Sequence, residues 1–298
     1  MRLVTYERDG QERPGVIVND AGDIFDIQSV MPDMASLNDL VDAGHEAVSQ
    51  LAGHLRQVTN KGAVIPAADA RLRAPIPRPH RNIFCVGKNY HEHAKEFHNS
   101  GFDASAGKDA IPAHPIIFTK SFTTVIGPKE QIPASADWTN SVDYEAELAV
   151  VIGRGGRNIT KNDAYEHVFG YTIVNDVTSR TLQQQHKQWF IGKNLDGFCP
   201  MGPWLVTADE VGNVEELQVT ATVNGEQRQC AAVSDLIFDI PTLIETLSRA
   251  MTLRPGDIIA TGTPAGVGIG FDPPKFLKPG DRVSISITKL GTLENPVA

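Results

Sequence analysis

From residue 83 to the C-terminus, short apolar stretches follow one another with glycine or proline between them: IFCVG, PIIFTK, ELAVVIG, VFGYTIVND, WLVTADE, QVTATVNGE, DIIATGTP and RVSISI. Their β-branched and aromatic content reads as strand. Helical stretches are few, at about 89–98, 161–167, 178–187 and 239–250. Parallel strands need a crossover, usually a helix, between each successive pair. The sequence does not supply that alternation. The chain is therefore expected to be a strand-dominated α+β protein, built on a mixed β-roll or β-sandwich rather than a doubly wound sheet.

Residues 1–75 read as a small N-terminal α+β domain. RLVTYE and RPGVIVND form two strands around a turn at Asp9-Gly10, and IFDI a third. An amphipathic helix follows, with Ser36 as its candidate N-cap. The proline-rich joint RAPIPRPHRN (73–82) separates this unit from residues 76–298. A net charge of −9 comes with no basic stripe, which excludes nucleic acid as a partner. Cys85, Cys199 and Cys230 are widely spaced and form no C-x-x-C, which argues against a disulfide framework or a zinc site. No apolar run approaches the length of a membrane span, and MRLVTYERDG lacks an apolar signal region. A cytoplasmic protein with no membrane partner is expected. Residues 98–114 form a long loop rich in glycine, alanine and serine, suited to a lid and equally to a tolerated surface insertion.

VDYEAELAVVIG (142–153) poses a physical problem. Glu145 and Glu147 share one strand face inside an apolar run. Two inward carboxylates repel each other and are costly to desolvate. A divalent cation converts that repulsion into shared attraction, and Mg2+ or Mn2+ suits an all-carboxylate set. Asp176, at the end of YTIVND, is the candidate third ligand. Three carboxylates leave an octahedral ion three positions for substrate oxygens or water. Asp143 shares the same face and is open as a ligand or an outer partner. By spacing alone, a solvated strand face fits the pattern too.

GKNYHEHAKEFH (87–98) is a strand-to-helix turn. His93 and Glu96, three residues apart, are neighbours on one helix face. The carboxylate would hold the imidazole's tautomer and raise its basicity, making a general base. His91 and His98 compete, and a merely charged helix surface is the plainer reading. Lys193, between glycines in QWFIGKNLDGFCPMGPW, could stabilise an enolate's charge. Arg180 and Gln183 could clamp a substrate carboxylate, the arginine through its fork. Lys120 in IIFTKS is a further substrate-side candidate. TGTPAGVG (261–268) could offer backbone N–H groups and the hydroxyls of Thr261 and Thr263 to substrate oxygens. It lacks the G-K-[ST] ending of a P-loop.

Together and in this order, GKNYHEHAKE, PIIFTKS, VDYEAELAVVIG, FGYTIVNDVTSR, QWFIGKNLDGFCPMGPW, VNGE, TGTPAGVG and FLKPGD resemble the fumarylacetoacetate hydrolase family, almost continuously over 83–285. The resemblance implies a β-roll catalytic domain, a smaller N-terminal domain, a homodimer, and a Mg2+ or Mn2+ site. It places the metal carboxylates on Glu145, Glu147 and Asp176, the His–Glu pair on His93 and Glu96, and the active-site lysine on Lys193. The substrate-side arginine and glutamine fall on Arg180 and Gln183, supporting carboxylates on Asp143 and Asp196, and the late threonine on Thr261 or Thr263. Two departures stand out: Thr181 replaces an aspartate common in the family, and the 98–114 loop is longer than in many relatives.

The expected function is a metal-dependent hydrolase that cleaves a C–C bond in a small 2,4-dioxo acid of the acylpyruvate or fumarylpyruvate kind. His93 would deprotonate water for attack on the distal carbonyl, and Lys193 would neutralise or protonate the departing enolate. The alternatives are a decarboxylase of 2-oxo acids such as oxaloacetate, an isomerase or decarboxylase of aromatic breakdown acting on an intermediate like 5-oxopent-3-ene-1,2,5-tricarboxylate, a ureidoglycolate-type lyase, or a non-catalytic binding protein.

Overall fold

The stretch Ala146–Ile152 is buried at every position, which places it inside a sheet covered on both sides. In the computed structural model, which describes residues 1–57, 64–103 and 110–298, it pairs antiparallel with Val168–Asn175 on one edge and with Ile258–Ala260 on the other. Its side chains alternate between two cores. Leu148, Val150 and Ile152 enter one, shared with Tyr144. Ala149 and Val151 enter the other, with Cys85, Cys199 and Ala260. The odd-numbered face is the one that Glu147 continues.

Among the described residues these strands belong to a twelve-stranded sheet. Beyond Ile258–Ala260 come Ile83–Gly87, paired in parallel, and Ile116–Lys120. Shortly afterwards Val125–Ile126 pairs in parallel with the start of Cys199–Thr207. The far end of the sheet thus returns to its middle and curls it into a roll. A four-stranded antiparallel sheet, Glu226–Ala232, Gln218–Val223, Arg282–Ile287 and Gly291–Pro296, packs Val219, Ala221, Val283 and Ile285 into the first core. The architecture is the expected strand-dominated mixed β-roll.

The N-terminal strands lengthen the same sheet. Arg2–Arg8 pairs antiparallel with Cys199–Thr207, Leu3 opposite Leu205. Its hairpin with Gln11–Ile17 turns at Asp9 and Gly10, both at positive φ. The following helix, Leu37–Gln57, opens with the expected cap: Ser36 N–H donates to Asp39 Oδ2 at 2.8 Å, and Asp39 N–H to Ser36 Oγ at 3.3 Å. Periodicity alone does not show that this helix breaks at Gly44, whose φ of 73° and ψ of −162° suit only glycine.

Near the site the expected helices are shorter or different. The 178–187 stretch divides into a bridge strand, Thr178–Ser179, and the helix Arg180–Gln185. Lys161–His167 is a 3-10 helix. Among the elements that escape the sequence pattern are the one-turn helices Phe190–Lys193 and Ala208–Val211, and the strand Gly291–Pro296, which has few apolar residues and ends on proline. Of the 98–114 loop, residues 104–109 lie outside the described residues. Its first part is tied down where Gln184 Nε2 donates to Gly101 O at 2.8 Å and buried Lys88 pairs with buried Asp103. No helix among the described residues is long and apolar enough to cross a membrane.

Candidate active site

Two antiparallel neighbours end side by side and deliver the carboxylates. Ala146 lies opposite Asn175. Just past that pair, Asp176 N–H donates to Glu145 O at 2.9 Å, and Glu145 N–H to Asn175 Oδ1 at 3.0 Å. These bonds fix the backbone on which Glu145, Glu147 and Asp176 are mounted. One oxygen from each lies within 4.8 Å of the others, and all three residues are buried.

The cations around them are buried as well. Lys193 Nζ donates at 2.8 Å to both Glu145 Oε2 and Asp176 Oδ2. Arg180 Nη1 stands 2.7 Å from Glu145 Oε1, and its Nε donates to Asp143 Oδ2 at 2.9 Å. Burial opposes charge on Glu145, but Lys193, Arg180 and His93 outweigh it and hold its carboxyl down to about 2. Glu147 is left differently. One N–H, from Gly262 at 2.9 Å, donates to its Oε2. Burial, and then Asp176 and Glu145, push its carboxyl well above the usual range. Four buried carboxylates, with Asp143, face three buried cations, Lys120, Arg180 and Lys193. The excess negative charge centres on Glu147, and the donor set is all oxygen. Both features fit a hard divalent cation. The ammonium of Lys193 already balances two of the three carboxylates, a role the sequence does not reveal.

The structure separates the sequence candidates. Asp143 is fully occupied: it accepts from Arg180 Nε, from Tyr144 N–H at 2.9 Å, from Gly268 N–H at 2.6 Å and from Ile269 N–H at 3.1 Å. It orients Arg180 and is not a free ligand. Lys120, expected on the substrate side, is corrected. Its ammonium has three donors, and it meets Asp176 Oδ1 at 2.8 Å, Val177 O at 2.9 Å and the carbonyl of Lys193. It is fully buried and supports Asp176 and Lys193 from behind, two of its donors spent on the backbone carbonyls of Val177 and Lys193. Among the described residues Arg180 Nη2 has no hydrogen-bond partner, while its Nη1 also donates to Gln183 Oε1 at 3.2 Å. Asp196 is exposed.

Three N–H groups of the glycine-rich loop are already committed to the protein itself. Those of Gly262, Gly266 and Gly268 donate to Glu147, Glu96 and Asp143. The loop is a cradle for the protein's own carboxylates, and an added Cβ at Gly270 would stand 1.8 Å from Glu96 Oε1. Thr261 spends its hydroxyl proton on Leu148 O at 3.0 Å. Thr263 Oγ1 accepts from Gln229 Nε2 at 2.7 Å, which leaves its proton available.

Of the three histidines on the helix His91–Asn99, His93 is buried, His91 is exposed and His98 lies partly exposed beside Asp103. His93 Nδ1 lies 3.1 Å from Glu96 Oε2. That contact leaves Nε2 as the basic nitrogen once the tautomer with hydrogen on Nδ1 is assigned. The sequence reading missed Asn89. Fully buried, it donates to Thr261 O at 2.8 Å and to Phe238 O at 3.0 Å, and so ties the loop to the base helix. A polar residue between a strand end and a helix start was the available signal.

An ion bound at the three carboxylates stabilises the folded chain by mass action. Mn2+ or Mg2+ at a hundred times its dissociation constant should add about 2.7 kcal/mol. Scanning calorimetry should show a higher melting temperature that EDTA reverses; a flat response would remove the ion from the site.

A family profile described as Fumarylacetoacetate (FAA) hydrolase C-terminal matches residues 82–298. The chain is 46% identical to oxaloacetate tautomerase YisK of Bacillus subtilis (strain 168), covering 100% of both chains. It superposes on fumarylacetoacetate hydrolase (EaFAH) from psychrophilic Exiguobacterium antarcticum with a TM-score of 0.83 and 40% identity, covering 100% of this chain and 99% of that one. It also superposes on maleylpyruvate hydrolase from Sphingobium sp. SYK-6, solved in complex with manganese(II) and pyruvate, with a TM-score of 0.77 and 33% identity, covering 100% and 99%. The match to the profile and the full-length similarity lead to one conclusion: this chain belongs to the fumarylacetoacetate hydrolase family.

Proposed function

We propose that this chain is a divalent-metal-dependent enzyme that interconverts keto and enol forms of a small 2-oxo diacid of the oxaloacetate type. The observation that carries the reading is the 46% identity to an oxaloacetate tautomerase along the full length of both chains. The site supports it, because a tautomerase needs one base beside an acidified C–H and consumes no water. Glu145, Glu147 and Asp176 would hold the ion, which would supply the Lewis acidity that makes the carbon next to the oxo group acidic. His93, oriented by Glu96, would take the proton from that carbon and pass it to the oxo oxygen to give the enol, or carry it back in the reverse direction. Lys193 places positive charge beside the oxygen that becomes negative. The Nη2 of Arg180, unpartnered among the described residues, and the Thr263 hydroxyl are donors for the substrate's carboxylates.

Hydrolytic C–C cleavage of an acylpyruvate is the second reading. It is supported by the similarity to a maleylpyruvate hydrolase solved with manganese and pyruvate. In that case the same base would act on water. One comparison separates the two. With Mn2+ or Mg2+, the enol absorbance of oxaloacetate should decay faster with enzyme than without, with no CO2 released. Acylpyruvates should yield pyruvate at far lower kcat/KM. Faster pyruvate release from an acylpyruvate, or CO2 from oxaloacetate, would replace the tautomerase reading. A homodimer is also proposed. The exposed Phe190 and Ile191, on the helix that carries Lys193, and exposed Trp138 offer apolar surface for it.

A further inference from the structure

We propose that Tyr144 is a positioning residue that holds the His93–Glu96 base through Gly266, joining the metal-bearing segment to the proton-transfer group. The inference rests on the reading of His93 as the base.

Tyr144 lies between Asp143 and Glu145 but faces the opposite core, with Leu148 and Val150. It is fully buried, and its phenol donates to Gly266 O at 2.8 Å. The N–H of the same glycine donates to Glu96 Oε1 at 2.9 Å, and the other oxygen of Glu96 meets His93 Nδ1 at 3.1 Å. The chain of contacts therefore runs from Tyr144 to Gly266, Glu96 and His93. Gly266 has φ 103°, and a Cβ there would lie 1.9 Å from Arg228 O. Only glycine fits, and glycine has the widest backbone freedom of any residue. With no side chain of its own to pack, this backbone depends on its hydrogen bonds for orientation. The phenol bonds one side of the residue and the Glu96 carboxylate the other. A phenylalanine would fill the same core volume, so the hydroxyl is what the packing does not explain.

Tyr144→Phe tests this with the full-length, metal-loaded protein. Loss of one neutral hydrogen bond should lower kcat roughly tenfold. KM and the Mn2+ dissociation constant should stay within about twofold. In ¹⁵N-edited spectra of the metal-free protein, His93 should change from a single tautomer with hydrogen on Nδ1 to an averaged signal. Unchanged kcat and an unchanged His93 signal would overturn the proposal. So would a lower kcat accompanied by equal loss of metal affinity and an unchanged His93 signal, because that marks a general structural defect. If the variant does not fold, amide exchange in the unmodified protein decides: the Gly266 amide should exchange slowly, and fast exchange rejects the clamp. His93→Ala, run alongside, tests the base assignment separately. Retained activity there would sink that reading whatever Tyr144 does.

Discussion

Arg180→Met is expected to destabilise the chain by about 3–5 kcal/mol, the cost of breaking a buried ion pair from one side. Arg180 is fully buried between Asp143 and Glu145, at 2.9 and 2.7 Å. Methionine fills part of the space but leaves two buried carboxylates short of a counter-charge. Neither can reach solvent, and Asp143 is also fixed by backbone donors. Denaturant unfolding in EDTA should show a lower midpoint with an unchanged slope. The melting temperature should fall by roughly 6–10 °C, at about 2 °C per kcal/mol for a chain of this size. Arg180→Lys should fall between, because it keeps the charge but loses the fork that spans both carboxylates. A methionine variant as stable as the parent would mean that Asp143 and Glu145 are not charged together in the folded state.

The second large effect is on rate. His93→Ala should lower kcat by about 10²–10⁴, the contribution of a positioned general base. Mn2+ affinity, followed by calorimetric titration, should change little, because the imidazole is not among the three carboxylates that gather. His91→Ala, two residues earlier and exposed, should leave kcat unchanged. If the two substitutions behaved alike, the proton would have to be moved by another group.

The roll was legible because its strands are buried on both faces. Residues 148–152 show an unbroken apolar run that neither a surface strand nor an amphipathic helix would carry. Glu145 and Glu147 stand out against that run, so the acidic centre was legible too. What the letters could not supply was direction. The Gly262, Gly266 and Gly268 amides looked available to substrate, but which acceptor an N–H meets is decided by segments far away in sequence. Lys120 was visible as a buried cation, but that it reaches behind Asp176 follows from where Val177 and Lys193 place their carbonyls. Asp143 and Glu145 are equivalent by alternation. The backbone donors of Tyr144, Gly268 and Ile269, which meet Asp143 alone, distinguish them. His93 was singled out by its spacing to Glu96 and by the resemblance, and its burial, against the exposed His91, agrees with that choice.

The line where Arg2 and Leu3 lie against Val206 and Leu205 has a consequence for shortened versions of this chain. Those backbone bonds cover the far end of Cys199–Thr207 on the side that Val168–Asn175 does not reach and beyond the short pairing of its start with Val125–Ile126. Without the first strand, an unpaired ladder would be left open along the barrel wall, a ready template for a second molecule. A chain begun after the proline-rich stretch would then be expected to fail by clumping edge to edge, before its chemistry was ever tested.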